Sequence, residues 1–162
     1  MQIIHHVNNS SLRAVVQRVS KAEVAIEEHL TGRIGAGLVV LLGISIGDTE
    51  EDVDWLAKKI LGMRIFGDQE GKMNLSIHDI NGAILIISQF TLHASTKKGN
   101  RPSFIKAAKP DISLPLYHHF IQRCKEAIGS DRVATGSFGA EMDVSLTNQG
   151  PVTIIIDSKN KE

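Results

Sequence analysis

Hydrophobic residues along the chain fall into runs and stripes that predict a mixture of strands and helices. Leu12 to Ser20 (LRAVVQRVS) has the make-up of a strand. Ala22-Glu23-Val24-Ala25-Ile26-Glu27 alternates apolar and polar residues with period 2, which predicts a half-exposed strand. Thr31-Gly32-Arg33 predicts a turn. Gly37 to Ile44 is apolar without alternation, the signature of a central strand buried on both faces. Ala83-Ile84-Leu85-Ile86-Ile87 has the same character, and its strand is expected to continue through Ser88-Gln89-Phe90-Thr91-Leu92. That continuation would put Gln89 and Thr91 on one face and Ser88 and Phe90 on the other. Two further strands are expected near 142–147 and 152–157, on either side of Asn148-Gln149-Gly150-Pro151.

Two segments carry helical periodicity. The first is expected to open at Asp48, with Asp48 and Glu51 at capping-box spacing and Val53, Leu56, Ala57, Ile60 and Leu61 as its apolar stripe. Glu50, Glu51 and Asp52 suit its amino end, and Lys58 and Lys59 its carboxyl end. The second is expected from about 114 to 128, where Tyr117, Phe120, Ile121, Cys124 and Ile128 share a face. Asp68 to Lys72 predicts a loop, and Asn81-Gly82 a turn. Strands and helices mix without strict β-α-β alternation, so the pattern predicts the α+β class.

A length of 162 residues fits one domain with small appendages. Aromatics make up 4% of the chain, so aliphatic residues must fill the core. Lys+Arg and Asp+Glu both total 18, so no global charge announces a nucleic acid; local patches must decide that question. One cysteine, Cys124, permits no intrachain disulfide and suits a reducing compartment. No apolar run reaches the ~18 residues of a membrane span. The first residues lack the basic and apolar regions of a signal peptide, so a cytoplasmic location is expected.

Candidate chemistry gathers where buried strands turn polar. The hydroxyl and amide groups of Ser88, Gln89 and Thr91 could hold a polar ligand or end a strand ladder. His93, two residues past Thr91, makes a Thr91–His93 nucleophile and base conceivable, with no oriented acid as a third member. His5-His6 and His118-His119 are adjacent pairs that diverge, and no metal-binding spacing occurs, so no metal or cofactor is expected. Cys124, on an apolar helix stripe, is expected to be a packed thiol. Thr96 to Lys109 holds Lys97, Lys98, Arg101, Lys106 and Lys109 without an acid, which is either a solvated face or a phosphate clamp. Gly150-Pro151 is either an ordinary trans turn or a cis peptide that projects carbonyls into a pocket; the residues alone favour the former.

Five ordered landmarks carry a family resemblance: Arg13 to Val19 (RAVVQRV), Gly71 to Ser76 (GKMNLS), Ser88 to Leu92 (SQFTL), Lys98 to Phe104 (KGNRPSF) and Asn148 to Thr153 (NQGPVT). On these the chain resembles the D-aminoacyl-tRNA deacylases of the bacterial and eukaryotic type, from about Leu12 to Ser158. The resemblance implies a single compact domain over 12–158 with a mixed, barrel-like β-sheet packed by a few helices. Residues 1–11 would be an extension and 159–162 a tail. It implies a homodimer that hydrolyses the ester of D-aminoacyl-tRNA, and of glycyl-tRNA, at the terminal adenosine, without a cofactor. Gly150 and Pro151, cis and presented with Asn148 to the partner's pocket, would exclude L side chains. Ser88, Gln89, Phe90 and Thr91 would form the opposing wall, with the Phe90 N–H as oxyanion donor and the tRNA 2′-hydroxyl assisting water. Arg18 would brace the Gly-Pro turn, and Phe138 and Met142 would line the adenosine pocket. Two alternatives remain: a Thr91-nucleophile hydrolase of small D-amino acid esters, and a non-catalytic dimer that binds RNA ends.

The chain departs from the family pattern at two places. His93 stands where relatives commonly have Tyr, which counts against a required histidine base. Leu12 stands where relatives begin with Met, so translation from near codon 12 is expected to suffice. Deletion of residues 1–11 should then leave activity and dimerisation intact.

Overall fold

The computed structural model of the chain describes residues 11–162. The extension expected over 1–11 lies outside the described residues except for Ser11, which is buried and hydrogen-bonds Asp157. The long strand β1, Arg13–Ile26, replaces the two strands expected there, because no glycine or proline interrupts the run. The chain then turns at Glu27 and Glu28, both at positive φ, and returns as β2, His29–Ile34. Thr31-Gly32-Arg33, expected as a turn, therefore lies within a strand. β3 is Gly37–Gly43, α1 Glu50–Gly62, β4 Phe66–Gly67, β5 Met73–Leu75, β6 Ala83–Ser88, α2 Pro110–Ile128, β7 Val133–Thr135 and β8 Asp143–Asp157.

β1 organises the sheet. One of its edges pairs antiparallel with β8 along most of its length. Its other edge pairs first with β3 over Arg13–Val19, then with β2 from Ala22 onward. β3, β6 and β7 continue the sheet in parallel, which explains why the Gly37 and Ala83 runs are continuously apolar. A Cβ placed on Gly32 of β2 would lie 2.9 Å from the Thr135 carbonyl of β7, so the sheet nearly closes into a barrel. Leu38, Val40, Leu42, Ile84 and Ile86 project from one face onto the two helices. Val39, Leu85 and Ile87 project from the other and pack with Val19, Ala22, Val24 and Ile34. The result is the α+β, barrel-like architecture that was expected.

Both helices bury the predicted stripes, with shifted starts. α1 is capped by Thr49, whose capping-box partner is Asp52, one residue beyond the expected Asp48–Glu51 pair. Asp48 is buried instead; burial pushes its carboxyl up, although it accepts hydrogen bonds from the Ser45 N–H (2.7 Å) and hydroxyl (3.0 Å). α2 begins at Pro110, four residues earlier than expected. Proline suits the first helical position, and Pro115 is carried inside the helix. No helix among the described residues is long and apolar enough to cross a membrane. Cys124 is fully buried on α2, and burial pushes its thiol up to about 12. The folded chain should therefore resist iodoacetamide at pH 8 and lose its thiol only in denaturant, as mass spectrometry would report.

Candidate active site

The apolar run of β6 ends at Ser88, and the chain does not continue as a strand. Gln89 donates its N–H to the Leu42 carbonyl (2.8 Å), the last tie to β3. Phe90–His93 then wind into a single 3₁₀ turn, with Leu92 N–H donating to Gln89 and Ala94 N–H to Thr91. This corrects the alternating faces expected for 88–91. The turn points Phe90 outward, 57% exposed, and buries His93. The Gln89 amide donates to the Thr91 hydroxyl in a short hydrogen bond. His93 Nε2 is buried with no hydrogen-bond partner, so it is not the partner of that hydroxyl.

Ser88, Gln89 and Phe90 line a cavity of about 590 Å³ at the end of the sheet. Phe138 and Met142 line the same cavity, while Thr91 does not. Phe104, Ala107, Ala108 and Ser113, which sequence reasoning did not assign to a site, line it as well. Phe104 packs edge-to-face on Phe90 with ring centroids 5.1 Å apart. Its legible signal was an aromatic residue in a basic segment of a chain with 5 phenylalanines. That segment is fixed to the end of β3, because Ala108 N–H donates to Ile44 and Ile46 N–H to Lys106. Among the described residues no three His, Cys, Asp or Glu side chains converge as metal ligands.

Asn148-Gln149-Gly150-Pro151 is not a link between two strands but a bulge inside the single strand β8. Gln17 faces Thr153 and Val19 faces Asn148, so Arg18 alone opposes the four residues between. The Gly150-Pro151 peptide is cis, as the family resemblance implied. Asn148 clasps the bulge with its side chain: Oδ1 accepts from Val152 N–H and Nδ2 donates to the Thr153 hydroxyl, both at 2.9 Å. Arg18 braces it from below, donating to the Gln149 carbonyl (3.0 Å) and the Ile65 carbonyl (2.6 Å). Gly150 and Pro151 are left exposed at the crest.

Within one chain the crest does not line the cavity. Between them runs an apolar row that is exposed at the crest end and buried at the cavity end. Ile155, Val15, Leu41 and Ile87 are register partners across β8, β1, β3 and β6, and their side chains share one face of the sheet. Ile155 is 68% exposed at one end of the row, and Ile87 lines the cavity at the other.

A family model described as D-Tyr-tRNA(Tyr) deacylase matches residues 15–157. The chain belongs to that family. A D-aminoacyl-tRNA deacylase of Flavobacterium johnsoniae is 55% identical over 151 residues, covering 93% of this chain and all of that protein. The corresponding protein of Bacteroides thetaiotaomicron is 58% identical over the same coverage. Among solved structures, one titled c-Myc DNA Unwinding Element Binding Protein is 39% identical with a TM-score of 0.85, covering 89% of this chain and 97% of that one. Every landmark of the family resemblance lies wholly or almost wholly inside the matched span, and the deacylases are hydrolases by name.

Proposed function

We propose that this chain hydrolyses the ester between a D-amino acid, or glycine, and the 3′-terminal adenosine of tRNA, and rejects the L enantiomer. The observation that carries the reading is a division of labour within the chain. One largely apolar cavity, polar only at Ser88, Gln89 and Ser113, has no wedge of its own, and one braced, exposed Gly-Pro crest has no cavity, with a partly exposed apolar row between. A second copy seated on that row would bring its Gly150-Pro151 to this chain's Gln89 and Phe90. Two-fold symmetry then completes both sites at once. Main-chain carbonyls set against the α-carbon leave no room for an L side chain and make no demand on a D one. Glycine, with no side chain to exclude, would pass.

In this reading the Phe90 N–H donates to the developing oxyanion, because it opens a 3₁₀ turn whose leading N–H groups the turn itself does not use. Water adds to the ester carbonyl, and the 3′-oxygen leaves with a proton once the tetrahedral adduct collapses. The neighbouring 2′-hydroxyl of the tRNA helps to activate the water. Phe138 and Met142 pack the adenine. Ser88 and Gln89 orient the ester, and Arg18 and Asn148 hold the crest.

Thr91 carries no covalent step in this mechanism. Thr91→Ala should keep kcat/KM within about tenfold of wild type, whereas loss of a true nucleophile costs on the order of 10⁶. Single-turnover deacylation of D-Tyr-tRNA would separate the two. The function itself is tested by release of tyrosine from D-Tyr-tRNA and L-Tyr-tRNA and of glycine from Gly-tRNA. Turnover of the D and glycyl esters alone supports the reading. Tight binding without turnover of any of them would make the chain an RNA-end binding module.

A further inference from the structure

A second concavity lies beside the cavity, built from the same two segments. Arg13, His93, Ala94, Ser95, Thr96, Lys97 and Lys106 line it, about 370 Å³ in volume. Its lining holds three cations and no carboxylate, in a chain whose net formal charge is zero. Arg13 is offset by Asp157 (3.2 Å), so the two lysines are the cations of this lining that an external anion would offset. Lys97 and Lys106 make no ion pair among the described residues. The other cations of the 96–109 segment, Lys98, Arg101 and Lys109, do not line it.

The walls are fixed. Ser95 and Ser103 exchange two backbone hydrogen bonds of 2.8 and 2.9 Å, so the two segments that lead to Lys97 and Lys106 are tied together. The Lys106 carbonyl accepts from Ile46 N–H (3.1 Å). Arg13 is held by Asp157 (3.2 Å) and donates from its other terminal nitrogen to the Leu92 carbonyl (3.1 Å), in the 3₁₀ turn itself. His93, 6% exposed, forms the floor. Phe90 and Phe104 face the cavity, while Lys97 and Lys106, a few residues on in each segment, face this concavity. Lys106 of this concavity directly precedes Ala107 of the cavity, so the two sites meet along that segment.

We propose that Arg13, Lys97 and Lys106 clamp internucleotide phosphates of the single-stranded 3′ end of the substrate RNA, upstream of the esterified adenosine. The inference rests on the proposed tRNA reading and extends it: the cavity takes the aminoacyl-adenosine, and the concavity takes the backbone that follows. Phosphate contacts of this kind fix register and carry no sequence information, so the clamp would accept any tRNA. It would also explain why the landmark segment is free of acids.

The test compares wild type, Lys97→Gln/Lys106→Gln and Lys97→Arg/Lys106→Arg on D-Tyr-tRNA and on 3′-D-tyrosyl-adenosine, which has no upstream phosphate. The Gln pair should lower the ratio of the two kcat/KM values at least about tenfold, and the Arg pair should restore it. Binding of a labelled single-stranded RNA ending in CCA gives a readout independent of turnover. The slope of log affinity against log salt should fall by about 1.4 in the Gln pair, ~0.7 for each phosphate that is no longer neutralised. An unchanged ratio with an unchanged slope would overturn the clamp. So would an equal loss on both substrates, which would put the lysines in the cavity's own chemistry. Should wild type cleave neither substrate, the deacylase reading fails, while the salt slope still decides the clamp.

Discussion

Gly150→Ala should lower kcat/KM on D-Tyr-tRNA by about 100-fold or more while leaving the chain folded. Gly150 holds φ at +127°, a conformation that a side chain strains. An added Cβ would meet Arg18 Nη2 at 2.8 Å and Val152 Cγ2 at 3.1 Å. The Arg18 head is the far end of a flexible side chain and can retreat, but its retreat gives up the brace on Gln149. The stability cost is that of one strained residue on an exposed crest, about 1–3 kcal/mol. The catalytic cost is larger because a displacement of about 1 Å in a positioning element can cost 10²-fold. Thermal melting and deacylation measured on one preparation separate the two effects. Wild-type turnover in this variant would remove the crest from the mechanism.

Gly37→Ala should be the most damaging single methyl in the fold. Gly37 opens the parallel pairing of β3 with β6, opposite Ala83. A Cβ there would sit 1.7 Å from the Ala83 carbonyl oxygen, with the carbonyl carbon and amide nitrogen at 2.7 and 2.8 Å. These are backbone atoms in the central pair of buried strands, and they cannot move without breaking the ladder. A loss of more than about 3 kcal/mol is expected, which for a chain of this size lowers Tm by roughly 6–12 °C or abolishes soluble expression. Gly35→Ala is the control. Nothing lies within 4 Å of its added Cβ, and it should melt close to wild type. Equal melting of both variants would mean that β3 and β6 do not pair in this register.

The elements that were legible from sequence are those whose burial is uniform. The continuous runs of β3 and β6, and the stripes of α1 and α2, state their environment in the residues themselves. Prediction failed where a residue type permits two conformations. Ser88 to Leu92 has strand composition, yet the sheet ends at Ser88 and a 3₁₀ turn follows. The Gly-Pro bulge read as a link between two strands because its partner, Arg18, lies 131 residues from Gln149. The turn between β1 and β2 sits on two glutamates at positive φ, which no turn propensity announces. At the site, Phe138 and Met142 line the same cavity as Ser88, Gln89 and Phe90, and Thr91 falls outside it. The Phe104 wall was missed because its position depends on hydrogen bonds to the end of β3, which are invisible in the linear pattern.

The central claim is that each site is completed by the neighbouring copy's Gly150-Pro151, and mixed dimers test it most directly. One copy carries Gly150→Ala. The other carries Phe90→Pro, which removes the proposed donor at the head of the 3₁₀ turn, where Gln89, at φ −144° and ψ 78°, already lies outside the helical region. Each variant alone should be inactive on D-Tyr-tRNA. After random exchange of subunits about half the dimers are mixed, and each mixed dimer holds one intact composite site, so activity should return to about a quarter of wild type. If wall and crest instead act within one chain, every site in the mixture carries a lesion, and no activity will return.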